Sequence, residues 1–113
     1  MNQDVSVAPA SRIGEANPVY KGYFADPFVL AHEGQYYAYG TGASANGKVF
    51  QVLRSADLAH WTPLGTALET LAEEPLDYWA PEVAFDGDTF YMYYSVGQGD
   101  QGHTLRVASA DVP

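Results

Sequence analysis

Shifted against itself by 54 positions without a gap, the sequence brings Pro27 onto Pro81, Val29 onto Val83 and Tyr36-Tyr37-Ala38-Tyr39 onto Phe90-Tyr91-Met92-Tyr93. The register persists to Leu53 on Val107 and to Ser55-Ala56-Asp57 on Ser109-Ala110-Asp111. A period of this length means that one supersecondary unit recurs and that neighbouring units must bury each other's faces. In the first unit, strand-forming runs occur at Phe28–Leu30, Tyr36–Tyr39 and Val49–Arg54, with a short piece around Trp61–Leu64. The turn formers Glu33-Gly34, Asn46-Gly47 and Ala56-Asp57 separate them. Four short antiparallel strands per repeat make one blade of a β-propeller, so the chain is expected to be all-β. The runs Tyr36–Tyr39 and Phe90–Tyr94 are nearly continuous rather than alternating, which predicts strands covered on both faces by neighbouring blades.

This reading divides the chain into an N-terminal extension (1–16), a first blade (17–66), an inter-blade connection (67–78) and an incomplete second blade (79–113). The polar stretch from Gly65 to Tyr78, with Glu69, Glu73, Glu74 and Pro75, suits the connection and has room for one helical turn before Pro75. The equivalent of Trp61 would fall two residues beyond Pro113, so the second blade is expected to lack its outermost strand. Closed propellers have roughly four to eight blades. Two blades are therefore expected to be part of a longer protein, or to self-associate through their open faces.

The composition agrees with a packed β protein: 47% of the 113 residues are hydrophobic, and nine Tyr, five Phe and two Trp favour sheets and sugar-facing clefts. Five Lys plus Arg against fourteen Asp plus Glu give a net charge of −9. That charge repels phosphate backbones and anionic headgroups, so no nucleic-acid or membrane partner is expected, whereas neutral sugars are indifferent to it. The absence of cysteine excludes disulfides, thiolate zinc sites and cysteine nucleophiles. Met1 to Arg12 has no apolar signal-peptide core and no stretch approaches the ~20 apolar residues of a membrane span. The default expectation is a soluble, cytoplasmic chain. His32, His60 and His103 show no metal-ligand spacing and read as surface or turn residues, and no Gly-rich phosphate loop opens a helix.

Three segments could carry chemistry. In Phe24-Ala25-Asp26-Pro27-Phe28, Pro27 is expected to hold Asp26 extended at the mouth of a strand lining the channel, although Asp-Pro pairs also commonly cap turns. In Tyr78-Trp79-Ala80-Pro81-Glu82-Val83, Trp79 could stack on a sugar ring and Glu82 could accept hydrogen bonds from hydroxyls. An interface Trp and a surface Glu are equally good readings. In Leu53-Arg54-Ser55-Ala56-Asp57-Leu58-Ala59-His60-Trp61 the structural role wins: Ser55 and Asp57 close a turn, and Trp61 packs the outer edge of the blade. The segment lacks the Gly and Thr of a sialidase Asp-box.

Together, Ala25-Asp26-Pro27, Arg54-Ser55-Ala56-Asp57-Leu58-Ala59-His60-Trp61 and Tyr78-Trp79-Ala80-Pro81-Glu82-Val83, in this order and separation, resemble the first two blades of glycoside hydrolase family 43, with the likeness running from about residue 17 to 113. The resemblance implies a five-bladed propeller that hydrolyses arabinose- or xylose-containing plant-type oligo- or polysaccharides with inversion, as arabinofuranosidases and xylosidases do. It puts Asp26 at the general base, and Trp79, Glu82, Phe24 and Tyr78 around the terminal sugar. It also implies that the catalytic acid, and an Asp tuning it, belong to later blades, so that this chain alone is expected to be inactive. No cofactor is expected, beyond the channel calcium of some relatives.

Two other readings compete. One is a non-catalytic module whose blades self-assemble and bind sugar through Trp79 and Tyr78. The other is a propeller enzyme of a related clan. Against a fructan hydrolase, Tyr23-Phe24-Ala25-Asp26-Pro27-Phe28 stands where that group has a Trp-Met-Asn-Asp-Pro-Asn-like segment. A glycoside phosphorylase would need basic phosphate-binding residues.

Overall fold

The computed structural model describes residues 19–42, 48–69 and 77–113. Among these residues, seven antiparallel strands form two sheets. Strands β1 (Ala25–His32), β2 (Gln35–Thr41), β3 (Lys48–Ser55) and β4 (Thr62–Glu69) lie side by side in that order, and β5 (Asp77–Phe85), β6 (Phe90–Gln98) and β7 (Gln101–Ala110) follow suit. These are two propeller blades, the second with three strands. Among the described residues no helix is long and apolar enough to cross a membrane.

The strands outrun their apolar cores. β4 continues to Glu69 and β5 begins at Asp77, both inside the polar stretch that reads as connection, because ladder hydrogen bonding continues where side-chain polarity no longer marks it. The Asn46-Gly47 turn and the helical turn before Pro75 lie outside the described residues. Glu33 (φ 49°) and Gly34 (φ 78°) both adopt left-handed backbone, the requirement of a tight two-residue hairpin turn.

The 54-residue repeat reappears as paired irregularities. Between Ala25↔Thr41 and Phe28↔Tyr39 the ladder carries a bulge in which Asp26 and Pro27 stand opposite Gly40. Between Trp79↔Ser95 and Glu82↔Tyr93 the same bulge sets Ala80 and Pro81 opposite Tyr94. Asp26 (φ 49°) and Ala80 (φ 54°) share the left-handed conformation. The correspondence slips in β7. Tyr37 pairs with Arg54, but Tyr91 pairs with Ser109, one residue further on than the period dictates. A second bulge is the cause: Gly102 (φ 65°) and His103 stand opposite Gly97, between Gln98↔Gln101 and Val96↔Thr104.

The blades pack face to face. Tyr39, Val49, Phe50 and Val52 of the first meet Tyr78, Val83, Phe90, Met92, Tyr94 and Val96 of the second in one core. Phe50 is fully buried, with ring edges against Tyr78 (centroids 6.3 Å apart) and Tyr94 (5.6 Å), and it accepts a left-handed backbone (φ 68°) to sit there. His32 is not the surface residue its sequence context suggests: its ring meets Phe85 and Phe90 edge-on, each at 4.8 Å. Full coverage of both strand faces holds only in part. In β6, buried Phe90, Met92, Tyr94 and Val96 alternate with Tyr93, which is 44% exposed, because a single sheet covers β6, on one face.

Candidate active site

Asp26 is the first candidate, and the bulge determines how it is presented. The residue is not extended, as the Pro27 rule suggests, but left-handed, a conformation Asp tolerates better than most residues. The extra residue of the bulge swings the carboxylate out to solvent at the end of β1. There the Thr41 hydroxyl, at the end of β2, donates to Asp26 Oδ2 at 3.2 Å. The same hydroxyl accepts the backbone N–H of Ala80 at 2.9 Å. One oxygen thus ties the carboxylate of the first blade to the bulge of the second. Thr41 escapes sequence reading because a lone Thr at a strand end has no motif. The signal available was its period mate: Ser95, also a hydroxyl residue, lies 54 positions on.

The second segment divides between core and surface. Tyr78 is 6% exposed, stacked beside Tyr94 at 6.1 Å, so it belongs to the inter-blade core rather than offering a face to sugar. Trp79 is half-buried, and its indole lies flat on the His103 ring, with centroids 4.2 Å apart and planes 20° apart. Glu82 is exposed on the face of β5 opposite Pro81 and Val83, the residues turned to the first blade. Phe24, half-buried, lies over Gly40 so closely that a Cβ there would come within 2.6 Å of its ring. Tyr20 meets Phe24 edge-on at 5.9 Å. The structure therefore joins Asp26 to the second blade through Thr41, and sets Trp79 next to Ala80, the residue that Thr41 holds.

His103 departs most from the sequence reading. It is no loose surface residue: Nε2 bonds to the Gly99 carbonyl at 2.6 Å and Nδ1 to the Ser95 hydroxyl. No periodicity points to it, since the bulge that aims it is itself a break in the period.

The turn after β3 is structural, as expected. Ser55 Oγ accepts the N–H groups of Asp57 (3.1 Å) and Leu58 (2.8 Å), while Asp57 Oδ1 accepts those of Ala59 (2.9 Å) and His60 (2.8 Å). The His60 ring bonds to Asp57 Oδ2 at 2.8 Å, and Trp61 Nε1 donates to the Leu58 carbonyl at 3.1 Å. The His60 side chain, then the backbone N–H groups of His60 and Ala59, hold the Asp57 carboxyl well below the usual range. This turn closes the end of the sheet remote from Asp26.

A cavity of about 320 Å³ lies elsewhere, between Leu64, Thr66 and Leu68 of β4 and Val83, Met92 and Ala108 of the second blade. Its mainly apolar lining includes none of the candidate sugar residues, and we attach no chemistry to it. Among the described residues, no group of three or more His, Asp or Glu side chains is placed to hold a metal ion.

Comparison with known proteins gives a consistent picture. The sequence profile described as glycosyl hydrolases family 43 matches residues 15–113. A β-D-galactofuranosidase of Aspergillus niger is 29% identical over 112 residues, covering 86% of this chain and 33% of its own. An extracellular endo-α-(1→5)-L-arabinanase of Bacillus subtilis is 27% identical over 94 residues, covering 75% of this chain and 29% of its own. Among solved structures, a thermostable family-43 glycoside hydrolase superposes with a TM-score of 0.68 at 37% identity, over 85% of this chain and 32% of that one. The chain spans about a third of the length of these relatives.

Proposed function

Because the chain belongs to glycosyl hydrolases family 43, we propose that it supplies the sugar-facing start of two blades to an inverting glycosidase of arabinose- or xylose-containing glycans, with Asp26 as general base. The observation that carries this reading is the presentation of Asp26: an exposed carboxylate, swung out by a bulge and pinned by Thr41 to the neighbouring blade. Ionised, such a group takes the proton from a water as that water attacks the anomeric carbon. Trp79, Glu82 and Phe24 are the proposed sugar contacts, Trp79 by stacking and Glu82 by accepting from hydroxyls. The arabinanase and galactofuranosidase relatives support a furanoside or pentoside substrate.

Inversion needs a second carboxyl group, protonated, about 6.5–9.5 Å from the base, to donate to the leaving oxygen. The resemblance assigns that acid to later blades, and neither Glu82 nor Glu15 matches its position. The chain alone is therefore proposed to be inactive. The test is release of nitrophenol from aryl α-L-arabinofuranoside and β-D-xylopyranoside by the chain and by Asp26→Asn. No turnover by either is expected. Turnover abolished by Asp26→Asn would overturn the inactivity but keep the base; turnover surviving Asp26→Asn would sink Asp26 as base.

One observation favours a second reading. On β7, at the edge of its sheet, Leu105 is 77% and Val107 54% exposed, and an apolar edge strand invites pairing with another chain. A discrete oligomer by light scattering would support a self-assembling, sugar-binding module; a monomer would dismiss it.

A further inference from the structure

Trp79 stacks on a ring that is itself fixed from three sides. The His103 ring lies against it at 4.2 Å and 20°. The Gly99 carbonyl can only accept, so His103 Nε2 carries the proton donated to it at 2.6 Å. Nδ1 hydrogen-bonds to the Ser95 hydroxyl, and accepts from it in the neutral ring. Both anchors lead back to the strand that carries Trp79. Ser95 is the ladder partner of Trp79, and Gly99 is held by its own N–H donating to Asp77 Oδ2 at 2.8 Å, two residues before Trp79. Below the ring lies Gly97, where a Cβ would come within 2.7 Å of the imidazole and of the Gln101 carbonyl. Only the extra residue of the Gly102-His103 bulge aims the ring there.

We propose that His103 is a positioning residue for sugar recognition: it backs one face of Trp79 and locks the indole so that a pentose ring stacks on the other. The proposal rests on the reading of Trp79 as a sugar contact. An unbacked indole would have to be ordered when the ligand arrives, at roughly 0.5–1.5 kcal/mol per side chain. Converted at 1.4 kcal/mol per tenfold, removing His103 weakens binding about 2- to 12-fold. Ser95 occupies the repeat position of Thr41. In the first blade that hydroxyl holds the candidate base, and in the second it holds the support of the candidate stacking platform.

The chain contains two tryptophans, so Trp61→Phe leaves Trp79 as the sole indole reporter. In that background, arabinose and xylose oligosaccharides are titrated against indole fluorescence, and near-ultraviolet circular dichroism reports the rigidity of the ring. His103→Ala is expected to weaken binding by the stated factor and flatten the indole dichroism, with the far-ultraviolet spectrum unchanged. Ser95→Ala, which leaves both rings in place but frees Nδ1, is expected to do the same in smaller measure, and serves if His103→Ala does not fold. If the reporter responds to sugar and neither variant changes affinity or dichroism, the positioning role is wrong while the sugar contact stands. If no sugar perturbs Trp79 in the parent background, the sugar contact itself is wrong, and the proposal falls with it.

Discussion

Replacing Thr41 by Val keeps the size and β-branching of the side chain and removes only the oxygen that joins the blades. Two hydrogen bonds go with it, from the Ala80 N–H at 2.9 Å and to Asp26 Oδ2 at 3.2 Å. Both lie in exposed surroundings, so the freed groups regain water and the loss is the net value of each bond, about 0.5–1.5 kcal/mol. The pair therefore contributes about 1–3 kcal/mol. Ala80 meanwhile keeps its left-handed backbone (φ 54°), a strain of roughly 1–2 kcal/mol that the Thr41 bond no longer offsets. At about 4–8 °C per kcal/mol for a domain near this size, Thr41→Val is expected to lower the melting midpoint by roughly 5–20 °C. Thr41→Ser, which keeps the hydroxyl, should stay within about 0.5 kcal/mol of the parent. The assays are thermal and urea denaturation followed by far-ultraviolet circular dichroism, the first giving the melting midpoints of the three proteins and the second their unfolding free energies. A Thr41→Val protein as stable as the parent, or a Thr41→Ser protein as weak as Thr41→Val, would refute the bridging role.

Phe50→Ala deletes a fully buried ring with edge contacts to Tyr78 and Tyr94, and should cost about 3–5 kcal/mol in the same denaturation experiment; a loss below about 1 kcal/mol would mean that the blades do not rest on this contact. Tyr39→Phe removes a phenol oxygen that is buried without a hydrogen-bond partner among the described residues, and whose ionisation burial pushes up, so the variant should be as stable as the parent or up to about 1 kcal/mol more so. A clear destabilisation would reveal a partner. Asp57 is depressed in the folded chain, so its contribution is complete above the unfolded value of about 3.9 and fades as pH falls through the folded one. Melting midpoints of the parent should therefore drop more steeply than those of Asp57→Asn below about pH 4, and parallel curves would contradict the assignment.

The two-blade architecture was legible because it rests on local, repeated chemistry. A 54-residue period, apolar runs of strand length and turn-forming pairs between them require no knowledge of the third dimension. Asp57 and Ser55 were legible for the same reason, as a side chain that closes a turn bonds to backbone only two or three residues away. Asp26 and Trp79 could be picked out as residue types at matched ends of two strands. Their surroundings could not. Thr41 meets Ala80 across 39 residues, and Tyr78 is lost to the core only because Phe50 and Tyr94 converge on it. The left-handed Asp26 and the buttressing His103 both sit in bulges, where two residues stand opposite one and the side-chain alternation that sequence patterns rely on is interrupted. The sequence by itself determined what repeats: strands, hairpins and the family they belong to. The tertiary structure decided where a side chain points once the ladder slips by one residue, because that choice depends on what the neighbouring strand and the neighbouring blade already occupy.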